Sequence, residues 1–264
     1  MVFGGIALII IAVICFFFAR GQANKLDEMN AADTYSSRMI DELHRKVLDS
    51  LGSEALAETC EVEGVIECDA PLTAPLSGTP CVAYTLNVVR EYEEDVTTTD
   101  SDGKKTTSVQ RSSETVESND NKVDFWVRDD TGRTLVRPEQ ADLDLVQTKE
   151  HFQPYVPSIK TLDLGFITIP IPAAQGGRRR TLGYRSTEQI LETGIRVYVL
   201  GCASDYNGKP AISFNPRKSQ KFIVSRRSER DLANSAASWS KNLYFAAAGT
   251  GILGALLTVL GLMG

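Results

Sequence analysis

Four cysteines outside the apolar segments are the side chains best suited to chemistry. They are Cys60, Cys68, Cys81 and Cys202. Thiolates are good zinc ligands and can act as nucleophiles. However, the separations of 8, 13 and 121 positions match no common zinc finger, and no base in the sequence is placed to activate Cys81. Burial as small apolar residues is the favoured interpretation, and a thiol or zinc site is the alternative.

Acidic and imidazole side chains form no clear catalytic arrangement. Asp129 and Asp130 are adjacent, as in a metal site or an acid–base pair, but the sequence Asp-Asp-Thr-Gly is typical of a tight turn. His44 lies off the apolar face of a predicted helix, so we expect it to face solvent. His151 has no partner at metal-ligand spacing. The sequence thus predicts no catalytic, cofactor-binding or metal-binding residue.

The elements that position these residues are organised around a turn and a strand at 75–89. The turn is rich in residues that reverse a chain, and it reads Pro75, Leu76, Ser77, Gly78, Thr79, Pro80. Apolar side chains then alternate along a strand at Val82, Tyr84, Leu86 and Val88. Regular alternation places Tyr84 on the face opposite Cys81. We expect both residues to hold the fold and not to form a reaction centre.

Composition limits the class of protein. The chain has 264 residues, a formal net charge of -6 and a pI near 5.1. This mild acidity argues against nucleic acid as a main partner. Five cysteines are too few for a disulfide scaffold of this length.

Two uncharged apolar runs bracket the chain, Val2 to Phe18 and Leu243 to Met263. They contain 17 and 21 residues, and about 20 apolar residues span a bilayer as a helix. A secretory signal peptide is the competing interpretation of the first run, but no Lys or Arg precedes that run. We therefore expect two transmembrane helices. Gly251 and Gly254 could let another helix approach, including one from a second copy of the chain.

Basic residues predict the orientation of the chain in the membrane. They flank the inner ends of both runs at Arg20, Lys25, Arg226, Arg227, Arg230 and Lys241. The positive-inside bias then predicts a multi-pass membrane protein with its middle part on the cytoplasmic face.

The predicted segments follow from these runs. They are a transmembrane helix at 1–19, a helical connector at 20–52, a β-rich domain at 53–228, a second connector at 229–242 and a transmembrane helix at 243–263. Residues 97–121 lack apolar side chains, and we expect a long hairpin with a mobile tip there. The predicted fold class is α+β, with a mostly antiparallel β-barrel or curled sheet, similar to an OB-fold, and flanking helices between the two membrane helices.

Local patterns predict several smaller elements. The spacing predicts a helix over 35–51, capped by Asp33 or Thr34 and ended by Gly52. Its apolar face contains Met39, Ile40, Leu43, Val47 and Leu51. Hairpins are predicted at 123–137 and at Asn207-Gly208. The apolar run at 162–174 precedes Arg178 to Arg180. Packing within the domain is the favoured interpretation of this run, and a loop on the membrane surface is the alternative.

Short motifs occur along the chain in the same order as in a known family, which they resemble. The motif residues are Gly64, Pro75, Leu76, Ser77, Gly78, Cys81, Tyr84, Gly132, Gly183, Tyr184, Arg185, Glu188 and Gly201. In this order they resemble the MULAN/GIDE family, the membrane-anchored ubiquitin ligases of mitochondria and chloroplasts, and their bacterial relatives. The resemblance implies a beside-a-membrane domain between two membrane helices and structural roles for the motif residues.

The resemblance also bears on activity. In the eukaryotic members a zinc-binding RING domain follows the second helix, whereas this sequence stops at Gly264 and has no RING cysteines or histidines. It therefore resembles a bacterial member without a RING. We expect a membrane-tethered, non-catalytic interaction or scaffold domain, without a cofactor, that binds an unidentified membrane or cytoplasmic protein. The alternative is ubiquitin-transferase activity with a RING supplied by another chain.

Overall fold

The computed structural model describes residues 2–31, 33–52, 55–165, 167–171, 179–217 and 221–263. Within these residues the helices are α1 (Val2–Ala31), α2 (Ser37–Leu51) and α3 (Glu229–Met263). The strands are β1 (Asp33–Thr34), β2 (Ala57–Glu67), β3 (Leu72–Thr73), β4 (Pro80–Thr99), β5 (Lys105–Lys122), β6 (Phe125–Arg128), β7 (Arg133–Val136), β8 (Asp142–Leu143), β9 (Val146–Pro154), β10 (Thr161–Asp163), β11 (Thr168–Pro170), β12 (Arg179–Glu192), β13 (Arg196–Tyr206), β14 (Lys209–Ser213) and β15 (Ile223–Ser225).

Five strands close into a barrel. The strand β2 pairs with β6, β6 with β7, β7 with β14, β14 with β13, and β13 again with β2. Each of these pairs is antiparallel except β7–β14, which is parallel. The short strands β15 and β8 continue the sheet beyond β13. The predicted barrel is therefore confirmed.

Inward-facing residues of the barrel strands form the larger hydrophobic core. Its fully buried members include Cys60, Val62, Ile66, Phe125, Val127, Val136, Val197, Val199 and Ile212. The two predicted hairpins contribute to it. Asn207 and Gly208 both have positive φ, 54° and 76°, as the two central residues of a type I′ turn require.

A second sheet lies beside the barrel. Its order is β3-β4-β12-β9, and β5 pairs with the other edge of β4 along almost its whole length. The segment at 97–121 thus forms part of a long hairpin, as predicted, with paired backbones out to Thr99 and Lys105. A second core covers one face of this sheet.

The described residues of the apolar run at 162–174 pack within the domain, as the favoured interpretation holds. Leu162, Leu164 and Ile169 belong to the β10–β11 pair and its turn, and they are buried against the second sheet. Arg179 and Arg180 begin β12 and form ion pairs with Glu94 and Glu93. Residues 172–178, including Arg178, lie outside the described residues.

The N-cap of α2 is not one of the two predicted residues. Asp33 and Thr34 do not cap the helix, because they form β1 and pair with Cys60 and Glu61 of β2. Ser36 is the N-cap, and Gly52 ends the helix as predicted. On the predicted apolar face Ile40 is fully buried, whereas Met39 is 48% exposed.

The turn between β6 and β7 completes this cap. Asp129 accepts a hydrogen bond from the N–H of Ser37 at 2.6 Å, and the Thr131 hydroxyl accepts one from the N–H of Arg38 at 3.1 Å. The other oxygen of Asp129 accepts hydrogen bonds from the N–H groups of Thr131 and Gly132. The turn interpretation of Asp129 is therefore confirmed, and the same carboxylate supports the positive end of α2.

His44 is buried, and the expectation that it faces solvent is wrong. Its side chain lies between α2 and the barrel, and its Nε2 lies 2.7 Å from Oδ2 of Asp205. This hydrogen bond lowers the pKa of Asp205. Asp205 follows His44 by 161 positions, so the helical pattern alone gives no sign of the partner that makes burial of an imidazole favourable.

The helices α1 and α3 are long and apolar enough to span a membrane, and they pack as an antiparallel pair. The rings of Phe16 and Tyr244 are 5.8 Å apart between centroids. A Cβ placed on Gly254 would lie 2.8 Å from the carbonyl oxygen of Gly5. The close helix approach expected at Gly254 is therefore made within the chain, by α1.

Replacing Asp129 with Asn tests the contact between the turn and α2. We expect a loss of about 1 kcal/mol at neutral pH, the usual cost of a lost cap. Burial disfavours the charge of Asp129, but the hydrogen bonds from Ser37 and Thr131 outweigh it and hold the pKa below 3.8. This stabilisation is complete above the unfolded-state pKa and is lost as the pH falls through the lower folded-state pKa.

The stability difference between the wild-type chain and Asp129→Asn should therefore shrink below about pH 4. Urea unfolding in detergent at stepped pH measures it. Asp130→Asn is the matched control, because Asp130 is exposed in the same turn. An equal effect of both substitutions would contradict the capping role.

Candidate functional site

The motif residues of the 75–80 turn contact a buried carboxylate, Glu188 of β12. Its side chain is 0% exposed. One oxygen accepts hydrogen bonds from the N–H groups of Leu76 at 2.5 Å and Ser77 at 3.3 Å. The other accepts one from the hydroxyl of Thr148 at 2.8 Å. Because a buried charge is costly without such partners, Glu188 fixes the 75–80 turn to the second sheet. We call these residues, with Lys149, the Glu188 site.

The turn is shaped to present its N–H groups to this carboxylate. Gly78 has a φ of 73°, a conformation that other residues resist. The Ser77 hydroxyl accepts a hydrogen bond from the N–H of Thr79 at 3.3 Å. Ala74 donates to the carbonyl of Thr79 and accepts from the N–H of Gly78. These hydrogen bonds within the turn hold it in the conformation that contacts Glu188.

Strand β9 supplies the rest of the Glu188 site. Lys149 is the register partner of Glu188, and its Nζ donates to the carbonyl oxygen of Leu76 at 2.8 Å. Thr148 is the extra residue of a bulge, because Lys149 faces Glu188 whereas Gln147 faces Gln189. The bulge brings the Thr148 hydroxyl to Glu188. Sequence reasoning missed both Thr148 and Lys149, since nothing near them indicates which strand they join.

Cys81 lies beside the Glu188 site, but its thiol is not prepared for chemistry. It is fully buried in a small cluster with Ala74 and Ile190. Burial, and next the charge of Glu188, raise the pKa of Cys81 to about 11. The thiol is therefore protonated at neutral pH, which is the opposite of an activated nucleophile.

The position of Tyr84 differs from the predicted alternation of faces along β4. Leu191 pairs with Ala83 and Glu192 with Cys81, so Val82 is the extra residue of a bulge in β4. The bulge puts Tyr84 on the same face as Cys81, not the opposite one. The half-buried ring packs against the cluster of Cys81, and its hydroxyl donates to Oδ1 of Asn119 at 3.3 Å.

The motif at 183–185 connects the strands of the second sheet. Gly183 lies under Phe152, where a Cβ would be 2.4 Å from the phenyl ring. Tyr184 is buried in the second core, and burial raises its pKa. Arg185, on the opposite face, forms ion pairs with Glu91 of β4 and Glu150 of β9.

The remaining motif glycines belong to the barrel. A Cβ on Gly64 would lie 2.4 Å from the carbonyl oxygen of Arg128, and one on Gly201 would lie 2.5 Å from Ile212. Gly132 faces the first residue of α2, with Ser37 Cβ 3.3 Å from the position of a Cβ. The sequence-predicted residues therefore separate into two groups, one at the Glu188 site and one on the barrel.

The other cysteines outside α1 have different surroundings from Cys81. Cys60 is buried in the barrel core, and burial raises its pKa to about 12. Cys202 is buried and accepts a hydrogen bond from Asn215, whereas Cys68 is half-buried. Among the residues that the structure describes, no three His, Cys, Asp or Glu side chains are grouped so that they could hold a metal ion.

A second buried carboxylate was also missed by sequence reasoning. Glu61 of β2 accepts hydrogen bonds from the hydroxyls of Tyr198 and Thr34, each at 2.7 Å. Tyr198 packs with Leu232 at the start of α3. Glu61 thus connects the chain after α1 to the barrel at the place where α3 contacts it. The alternation of Cys60, Val62 and Ile66 predicts one buried face of β2 and places Glu61 on the other face, so no local pattern indicates that Glu61 is buried.

The comparisons with known proteins agree with the motif order. The family model GIDE, described as E3 Ubiquitin ligase, matches residues 93–261. The chain belongs to the GIDE family. No curated protein and no solved structure matches the chain significantly. The matched region includes Glu188 and the motif at 183–185, whereas the 75–80 turn precedes it.

Replacing Glu188 with Gln tests the central role of the carboxylate. The amide keeps the volume but turns an NH₂ group toward one set of donors, so a buried hydrogen bond is lost. We expect a loss of about 2 kcal/mol in unfolding free energy, the scale of a hydrogen bond to a charged group. Faster proteolysis at the 75–80 turn should accompany it. Glu192→Gln on the same strand is the control, and equal losses in both variants would refute the assignment.

Thiol labelling tests the environment of Cys81. With iodoacetamide at about pH 8, a thiol of raised pKa in a buried position should react slowly. We expect Cys68 to be modified first in the native chain, and Cys60 and Cys81 only after unfolding in urea. Peptide mass spectrometry gives the order. Modification of Cys81 as fast as that of Cys68 would indicate a reactive thiol.

Proposed function

We propose that this member of the GIDE family is a membrane-tethered, non-catalytic interaction or scaffold domain. The observation that carries the proposal is that its polar motif residues make their contacts within the fold. Glu188 holds a turn, Arg185 joins three strands, and Cys81 is a buried protonated thiol. Each of these groups is occupied by the fold itself, which leaves none of them placed to act on a substrate.

The membrane tether is supported by two features. The helices α1 and α3 are apolar and pack against each other. Both therefore extend from the same side of the barrel. Basic residues lie at their inner ends. We infer a multi-pass protein of the beside-a-membrane kind with its barrel on the cytoplasmic face. The closed five-stranded barrel with a parallel closing pair supports the OB-like assignment.

Two outer strands could bind a partner protein. Among the described strands, β5 and β9 each pair along one side only, so their other backbone edges are open for strand addition. Their side chains are largely polar and exposed. Such edges suit a specific, reversible partner better than a permanent hydrophobic interface. The partner we infer is a membrane or cytoplasmic protein.

A second candidate function follows from the description of the family. The chain could serve a ubiquitin ligase by holding substrate while another chain supplies the RING. The family match supports this candidate.

A ubiquitination assay tests whether the chain is non-catalytic by itself. The purified chain, mixed with activating and conjugating enzymes, should build no ubiquitin chains above background, because the described residues offer no RING-type metal site. A heterologous RING fused after residue 264 is the positive control for the assay. Chain formation by the unfused protein would refute the non-catalytic proposal.

Cysteine accessibility tests the proposed orientation. Ser101→Cys places a thiol at the exposed tip of the β4–β5 hairpin. A membrane-impermeant maleimide added to intact cells should leave it unlabelled, and permeabilised cells should label it fully. Efficient labelling in intact cells would place the barrel on the outer face and contradict the orientation.

A further inference from the structure

An apolar groove lies between α1 and α3 at the start of the uncharged run of α3. Its volume is about 540 Å³, within the range of ligand-binding pockets. Its lining includes Ala23 of α1 and Ser240, Lys241, Tyr244, Phe245 and Ala248 of α3. The last three belong to the uncharged run of α3, whereas Ser240 and Lys241 precede it. The groove, which we call the Ser240 groove, is therefore polar at one end and apolar at the other.

Ser240 is a buried residue whose hydroxyl has no partner among the residues that the structure describes. The residue is 8% exposed, and no described side chain or backbone group forms a hydrogen bond with its hydroxyl. By contrast, the hydroxyls of Thr250 and Thr258 in the same helix each donate to the carbonyl oxygen four residues earlier. Because a buried polar group without a partner is costly, Ser240 indicates an acceptor supplied by another molecule.

Lys241 gives the Ser240 groove its charge. The residue is exposed, and within the described part of the chain its ammonium forms no ion pair or hydrogen bond. Among the described residues, no acidic side chain lines the groove. An anionic group beside both residues would accept one hydrogen bond from the Ser240 hydroxyl and a charge-assisted one from the Lys241 ammonium. The groove therefore complements a negative charge attached to an apolar chain.

A second copy of the chain fits the Ser240 groove less well than a lipid does. Two copies in one membrane are related by an axis along the membrane normal, so a symmetric contact through the groove would bring both Lys241 side chains together at one depth. These two like charges would repel each other strongly at the edge of a low-dielectric medium. A phosphate instead neutralises Lys241.

We propose that the Ser240 groove binds one anionic phospholipid. Its phosphate lies at Ser240 and Lys241, and one acyl chain lies along Tyr244, Phe245 and Ala248. A zwitterionic headgroup would bring a second cation next to Lys241 without an acidic residue of the groove to receive it, which favours a lipid of net negative charge. The proposal rests on the proposed membrane tether and adds to it a specific ligand of the two helices.

Native mass spectrometry of the full chain in detergent tests the proposal. The probes are phosphatidylglycerol and phosphatidylcholine with identical acyl chains. We expect one retained phosphatidylglycerol per chain and weaker retention of phosphatidylcholine. Lys241→Gln should weaken phosphatidylglycerol binding about tenfold, the effect of one lost hydrogen bond between charged groups. Ser240→Ala should weaken it about threefold, because the lost donor is neutral.

Two further variants separate the shape of the groove from its charge. Ala248→Trp fills the apolar end without a change of charge, since Ala248 is exposed in the groove, and it should also lower phosphatidylglycerol retention. Arg20→Gln is the matched control for charge. Arg20 is an exposed cation of α1 that does not line the groove. It lies near the depth of Lys241, because Phe16 of the antiparallel α1 contacts Tyr244, and its variant should bind phosphatidylglycerol like the wild-type chain.

Several outcomes would overturn the proposal. Equal retention of both lipids, or equal effects of Arg20→Gln and Lys241→Gln, would indicate unspecific lipid around the helices. A dimer in detergent that Ala248→Trp dissociates would assign the groove to a second copy. Membrane fractionation distinguishes this proposal from the tether on which it rests. Absence of the wild-type chain from membranes would refute the tether, whereas a membrane-bound chain with equal lipid retention would refute the lipid site alone.

Discussion

The arrangement of the second sheet depends on one buried carboxylate. Glu188 cannot remain fully buried without hydrogen-bond donors, and the donors come from the turn at 75–80 and from Thr148. The carboxylate therefore fixes β9 and β12 relative to the chain that enters β4. Three segments that are far apart in sequence are held at one point, and the second core closes over the same face of the sheet.

The barrel and the second sheet are built from interleaved segments of the chain. Strands β3 to β5 lie between barrel strands β2 and β6, and strands β8 to β12 lie between β7 and β13. The second sheet exists because β4 and β12, one from each insertion, pair along most of their length. Fixing β4 to β12 therefore also constrains the barrel, which explains why motif glycines such as Gly64 and Gly183 occur in both parts.

The functional assignment follows from where polar groups are used. Buried polar residues of this chain serve contacts between elements. His44 with Asp205 joins α2 to the barrel, and Glu61 with Thr34 joins the barrel to the chain that follows α1. Polar groups with open surroundings lie instead on the outer strands and at the ends of α1 and α3 that face the barrel. This distribution supports our proposal of an interaction domain, because such groups can contact another molecule.

The sequence alone determined what depends on neighbours along the chain. Long uncharged apolar runs predict α1 and α3, apolar periodicity predicts α2, and turn residues predict the hairpins at Asp129 and Asn207, because these preferences act between neighbours along the chain. The order of motifs likewise predicts the family. Tertiary structure decided what depends on which strands meet. One bulge at Val82 moved Tyr84 to the other face, and contacts across 161 and 40 positions buried His44 and gave Glu188 the hydroxyl of Thr148. Such contacts arise only when distant segments pair, and no local preference encodes them.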